Sequence, residues 1–160
     1  MAFASPYRLR ARLYGETKAK GYDLLSYVSS QAFVWDNVKI GDNCLILEDN
    51  VLQYGVEIGN DTWLWSGNHV GHCAKIGNHV FIASHVVISG STEIGDYCFC
   101  GVNSAFANDI RVGRNCLIGM GANVKHDVPA GSVLSVPGAR RGELDDLPPS
   151  ARAHFHPEGK

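Results

Sequence analysis

Stepping through the chain by six residues from Ile40 lands on Ile40, Ile46, Leu52, Ile58, Leu64, Val70, Ile76, Ile82, Ile88, Ile94, Cys100, Phe106, Val112, Ile118 and Val124. Thirteen of the fifteen are Leu, Ile or Val, in a chain of 160 residues that holds 36 of these, and no insertion breaks the phase. Four residues after each lies a second comb of mostly small or β-branched residues, among them Cys44, Val56, Thr62, Ala74, Val80, Thr92 and Cys98, with Asn50 and Asn68 as the polar exceptions. A period of eighteen is superimposed, marked by Ile40-Gly41, Ile58-Gly59, Ile76-Gly77, Ile94-Gly95 and Val112-Gly113. An amphipathic helix needs a period near 3.6 and a half-buried strand needs simple alternation, so neither accounts for this pattern.

The physical solution is a prism. Each hexad supplies a short strand and a corner, and three hexads close one triangular coil. The large aliphatic residue fills the interior, and the small one leaves room for the chain to turn. Coils stack at about 4.8 Å, so five of them rise about 24 Å. A six-residue unit cannot bury its own apolar face, and stability accrues by stacking. The sequence thus predicts an all-β fold, a parallel β-helix of about five coils over 34–128. A helix and strand segment precedes it at 1–33, and a loop and tail follow at 129–160. The column rule places Asn50 on Asn68 as a buried amide ladder and Cys98 on Cys116 as small core residues. Outside the repeat, Tyr7 to Lys20 reads as a surface helix capped at Gly21, with a strand over Tyr22 to Val28.

Composition narrows the function classes. A net charge of −2 with no basic stripe argues against nucleic-acid binding. No apolar run is long enough to span a membrane, and the N-terminus lacks the apolar stretch of a secretory signal. Five scattered Cys without a C-x-x-C pair read as free thiols, so a cytoplasmic setting is expected.

The hexads, the stretch Trp65-Ser66-Gly67-Asn68-His69-Val70-Gly71-His72, and the run Ile82-Ala83-Ser84-His85-Val86-Val87-Ile88-Ser89-Gly90 carry a resemblance. So do the closing Asp127-Val128-Pro129-Ala130-Gly131 and Val136-Pro137-Gly138-Ala139-Arg140. The chain resembles the hexapeptide-repeat acyltransferases with a left-handed β-helix, in the sugar O- and N-acetyltransferase subgroup related to sialic acid O-acetyltransferase. The resemblance implies left-handed coiling, a homotrimer, acetyl-CoA as co-substrate, and a sugar amine or hydroxyl, free or nucleotide-linked, as acceptor. No metal is expected. Members of the subgroup carry an N-terminal nucleotide-binding-like domain. Residues 1–30 resemble its last helix and strand, and its Gly-rich phosphate loop is not among these 160 residues.

Acetyl transfer needs a base for the acceptor proton, donors for the tetrahedral oxyanion and a groove for the thioester. Histidine is the natural base at neutral pH. His72 lies two residues beyond Val70 and faces outward, and the same position one coil later is Gly90. In the resembling enzymes a His here is the general base, and a Gly one coil on donates its N–H to the thioester oxygen. His72 and Gly90 are therefore the expected catalytic pair.

Cys73 stands where relatives often place an acidic residue that orients the imidazole, and no feature marks it as a nucleophile. By resemblance Gly101, Val102, Gly119, Met120, Gly121 and Ala122 border the pantetheine arm, and Pro137 and Gly138 meet the adenine. Arg140, with Arg141 and Lys125 as alternatives, answers the 3′-phosphate. His69, His85 and Asn103 are candidate acceptor-pocket residues, while His79 is expected to be an exposed corner residue. Two further readings use the same prism. A γ-carbonic-anhydrase-like metalloenzyme needs two His five residues apart, which this chain lacks. A non-catalytic trimeric scaffold needs no outward His paired with Gly.

Overall fold

A computed structural model of the chain describes residues 4–138. Among the described residues one helix, Ala4–Ala19, is followed by eighteen two-residue strands, from Tyr27–Val28 to Val133–Leu134. Every strand pairs in parallel with the strand one coil away, giving sheets of seven, six and five strands. Leu45, Trp63, Phe81, Phe99 and Leu117 form one register column. Val51, His69, Val87, Ala105 and Asn123 form another, and Lys39, Glu57, Lys75, Glu93 and Arg111 the third.

The fold is the expected all-β solenoid, with about six turns where the run from Ile40 predicts about five. The extra turn comes from both ends. Val28 and Val34 continue the six-residue phase backwards, in strands that pair with Leu45–Ile46 and Val51–Leu52. At the other end Leu117 pairs with Val133, sixteen residues on, so the last coil is two residues short and leaves the phase. The helix runs Ala4–Ala19 where Tyr7 to Lys20 was predicted, and the strand predicted over Tyr22 to Val28 is only Tyr27–Val28. Gly21 closes the helix at φ +82, its N–H donating to the Lys18 carbonyl at 2.9 Å.

The first comb is the core: Ile46, Leu52, Leu64, Val70, Ile82, Ile88 and Ile118 are fully buried. Each corner then turns through a left-handed residue, at every sixth position from Asn43 to Gly121. Gly, Asn and Asp tolerate that conformation and His79 and His85 also enter it, while Cys73, Ser91 and Tyr97 adopt it against their preference.

The second comb does more than leave space. Cys44, Asn50, Thr62, Thr92 and Cys98 each donate to the carbonyl fifteen residues on, at Gly59, Trp65, Gly77, Ala107 and Gly113. These inward polar groups satisfy corner carbonyls that the short strands cannot reach. Asn50 and Asn68 are both buried, but their amides do not bond to each other. Both donate to the Trp65 carbonyl, and Asn68 Oδ1 accepts the Val86 N–H. Cys98 and Cys116 are buried as predicted, and burial pushes the Cys98 thiol up to about 12, which keeps it protonated.

The marker glycines have a steric reason. A Cβ on Gly59 would lie 2.7 Å from the Gly77 carbonyl carbon in the next coil. The outward columns differ in kind. The five-stranded face alternates Lys39, Glu57, Lys75, Glu93 and Arg111, with Lys39–Glu57 at 3.0 Å and Arg111–Glu93 at 3.3 Å. The seven-stranded face is apolar and aromatic, with Phe81 stacked on Phe99 at 5.5 Å.

The helix is fastened to the edge between these two faces. Arg10, Tyr14 and Lys18, four residues apart, share one helix face. Arg10 Nε lies 3.2 Å from Asp61 Oδ2, its guanidinium donates to the Asp61 and Val80 carbonyls, and it sits over the Trp63 ring. Tyr14 donates to Asp42 at 2.6 Å, and Lys18 donates to the same carboxylate at 2.9 Å.

Asp61 is fully buried and also bonds Asn43 and His79 Nδ1. His79 is therefore no exposed corner residue. Its side chain is 13% exposed and lies between Tyr14 and Tyr97. The sequence expectation missed this because Asp61 and His79 become neighbours only through coil stacking, and the helix closes over them.

Partial burial pushes the Asp42 carboxyl up, but hydrogen bonds from Tyr14 and Lys18 outweigh it and hold it below the ordinary value. Burial and the bond to Asp42 push the Tyr14 phenol up to about 12.

Two outcomes are expected. Asp61→Ala removes the shared anion beneath Arg10 and His79, and urea unfolding should show a loss of about 3–5 kcal/mol. The Tyr14 contribution is full below the phenol's ordinary 10.0 and is lost as pH rises through about 12. Alkaline unfolding curves of the wild type and Tyr14→Phe should therefore converge over that window.

Candidate active site

His72 follows the strand His69–Val70 and sits in the corner Gly71-His72-Cys73-Ala74, between the six- and five-stranded sheets. The corner is pinned to the coil below. Gln53 Oε1 accepts the His72 N–H at 3.0 Å, and the Tyr54 carbonyl accepts the Cys73 N–H at 2.8 Å. The coil above is attached through the His72 carbonyl, which accepts the Ser91 N–H at 2.8 Å. His72 is exposed, and its ring lies across Gly90. A Cβ at Gly90 would meet ring atoms Cε1 and Nε2 at 2.5 Å. Only glycine leaves room for the imidazole there. Among the described residues no protein acceptor takes the Gly90 N–H. An imidazole and a backbone N–H thus occupy one small patch of surface.

His85 lies on a different edge, between the seven- and six-stranded sheets, with its ring across Gly67 and its N–H donating to the Ser66 carbonyl. Asn103 is stacked one coil above it, at the same left-handed corner position. His69 faces outward from the six-stranded sheet, between the two edges. Gly101 and Gly119 stack on the His85 edge, with Val102 and Met120 exposed beside them. Gly121 is exposed in the left-handed conformation, whereas the Ala122 side chain is buried in the prism and offers only its backbone. Pro137 and Gly138 lie exposed beyond the last strand. Arg140 and Arg141 lie outside the described residues.

Within one chain, then, His72 and Gly90 come together, and the Gly101–Gly119 column stands on another edge. His79 occupies the third. Three outward histidines on three edges cannot meet at one point in a single chain. Among the described residues no group of three or more His, Cys, Asp or Glu could hold a metal, and no helix is long and apolar enough to cross a membrane.

Cys73 is exposed at φ +57 with no acidic neighbour on its corner. Gln53, which the sequence did not single out, accepts the His72 backbone N–H and so holds the corner rather than the imidazole. Its position nineteen residues earlier gives no local signal.

A six-residue repeat wound into three parallel sheets is the architecture of a left-handed parallel β-helix of hexapeptide repeats. Residues 55–90, which hold both His72 and Gly90, match the family described as bacterial transferase hexapeptide (six repeats). Compared by sequence with curated proteins, the chain matches none.

Among solved structures it is similar to a mutant of perosamine N-acetyltransferase from Caulobacter crescentus in complex with CoA and GDP-perosamine. The TM-score is 0.79 at 21% identity, covering 86% of this chain and 66% of that one. It is also similar to the acetyltransferase domain of PglB from Neisseria gonorrhoeae in complex with acetyl coenzyme A, with TM-score 0.78, 24% identity, and 79% and 62% covered. A third is WeeI from Acinetobacter baumannii, with TM-score 0.76, 25% identity, and 81% and 64% covered. The chain thus spans somewhat under two thirds of the length of these structures.

Gly90→Ala should displace the imidazole while leaving the coil stacked. The His72 ring resonances in a long-range proton–nitrogen correlation spectrum should shift, with the unfolding midpoint changed little.

Proposed function

We propose that the protein is an acetyltransferase that moves the acetyl group of acetyl-CoA to the amine of a sugar, with a nucleotide-linked sugar as the favoured acceptor. The observation that carries the reading is the His72 ring lying against Gly90, whose N–H has no protein acceptor among the described residues. The name of one similar structure, perosamine N-acetyltransferase, supports the amine over the hydroxyl, and the PglB acetyltransferase domain with its bound acetyl coenzyme A supports acetyl transfer.

In this reading the acceptor nitrogen attacks the thioester carbonyl, forming the C–N bond as His72 takes its proton. The Gly90 N–H stabilises the oxyanion. Collapse breaks the C–S bond, and the thiolate leaves and recovers the proton from the imidazolium. A thiol leaves readily, since its ordinary pKa is about 8.5, so one base suffices.

The assembly follows from the two edges. If the thioester arm runs along Gly101, Val102, Gly119, Met120, Gly121 and the Ala122 backbone, that edge must come from a neighbouring copy to face His72. A homotrimer closes the pattern. Pro137, Gly138 and Arg140 then serve the adenine and 3′-phosphate end, and His69, His85 and Asn103 the acceptor pocket. The five free thiols support a reducing compartment, and we place the protein in the cytoplasm.

Thiol release from acetyl-CoA, measured against a panel of amino sugars and nucleotide-linked sugars including GDP-perosamine, tests the reading. His72→Ala should lower kcat by about 10²- to 10⁴-fold. Equal rates from the two proteins would remove His72 as the base, and absence of acetyl-CoA binding in calorimetry would leave the scaffold reading.

A further inference from the structure

Three large aromatic side chains lie exposed on the His72 side of the prism, below the catalytic pair. Phe33, Trp35 and Tyr54 are 57%, 48% and 58% exposed. They touch only edge to face, Trp35 with Phe33 at 6.2 Å and with Tyr54 at 6.4 Å, at interplanar angles of 85° and 83°. This packing fixes the rings relative to one another while leaving much of each uncovered. A single exposed aromatic needs no explanation, but a contiguous cluster marks a surface that takes a partner or ligand.

The position indicates which. Tyr54 occupies the corner position of His72 one coil earlier, about 4.8 Å down the stack, and Trp35 lies a further coil below. Gln53 and Tyr54 are also the residues that hold the His72 corner from below. The rim is polar and not basic. Asp36 and Asn37 follow Trp35, and the nearby Lys39 is engaged by Glu57 at 3.0 Å. A diphosphate would find no free cation in this rim and one carboxylate to repel it. A sugar ring suits it better: its C–H face packs on aromatic faces, and Asp36 together with the amide N–H groups of Asn37 and Gln53, whose oxygens hold the Gly55 and His72 N–H, offers hydrogen bonds to hydroxyls.

We propose that Phe33, Trp35 and Tyr54 form the platform on which the ring of the acceptor sugar stacks, directing its amine up the edge to His72. The proposal rests on the acetyltransferase reading for the identity of the acceptor. The stacking itself is readable without turnover.

The test uses the full chain in two arms. In the first, tryptophan fluorescence is titrated with D-glucosamine, GDP-perosamine and GDP alone. Saturable quenching by an amino sugar that is lost in Trp35→Ala supports the platform, even if no acetyl transfer is found. Equal quenching by GDP, or quenching by none of the three, overturns it. In the second arm, acceptor KM should rise about ten- to a hundredfold in Trp35→Ala. The KM for acetyl-CoA should be unchanged, and Trp35→Phe and Tyr54→Phe should recover most of the affinity. A fall in kcat with acceptor KM unchanged overturns the proposal. So does a loss of oligomer mass in light scattering for Trp35→Ala, which would make the cluster a contact between copies.

Discussion

Everything in this structure depends on one register: the chain returns to the same point of the triangle after eighteen residues. A two-residue strand has almost no stability alone, because it fixes backbone conformation for two or three hydrogen bonds. Stacked in parallel, each strand bonds the coils above and below, and each interior Leu, Ile or Val sits on another. The corners carry the remaining demand. They turn through left-handed residues, and the inward Cys, Thr and Asn side chains close the carbonyls that the strands leave open. The hexads from Ile40 to Val124 run without insertion, so every residue over that span keeps its column.

The same register builds the site. Residues eighteen apart become neighbours, so a histidine can be laid on a glycine with no long-range folding problem beyond the stacking itself. His72 takes its bed from Gly90 above and its backbone anchor from Gln53 below. Each edge carries its own chemistry, because each corner column is written independently. One edge holds the His72–Gly90 pair, a second the glycine column and His85, and the third the buried Asp61 under Arg10 and His79. The prism spreads these groups around its axis.

The third edge is the main departure from the repeat. The helix Ala4–Ala19 obeys a period near 3.6, and Arg10, Tyr14 and Lys18 grip the solenoid at Asp61 and Asp42. Burying a carboxylate is costly unless it is paired and hydrogen-bonded, and Asp61 is both. It fixes where the helix lies, covering part of an apolar face that would otherwise meet water.

The sequence alone determined the prism, its three-hexad coil, the inward columns and the meeting of His72 with Gly90, because these follow from counting in sixes and eighteens. It also marked Cys98 and Cys116 as interior. Only the tertiary structure decided what lies between columns or beyond the repeat. The extra coil at Tyr27–Val28 and Val133–Leu134, the Trp65 carbonyl shared by Asn50 and Asn68, and the burial of His79 beneath the helix belong there. The reason is geometric. Period fixes position along and around the axis, whereas contacts between a non-repeating helix and the solenoid depend on a docking angle that no interval in the sequence records.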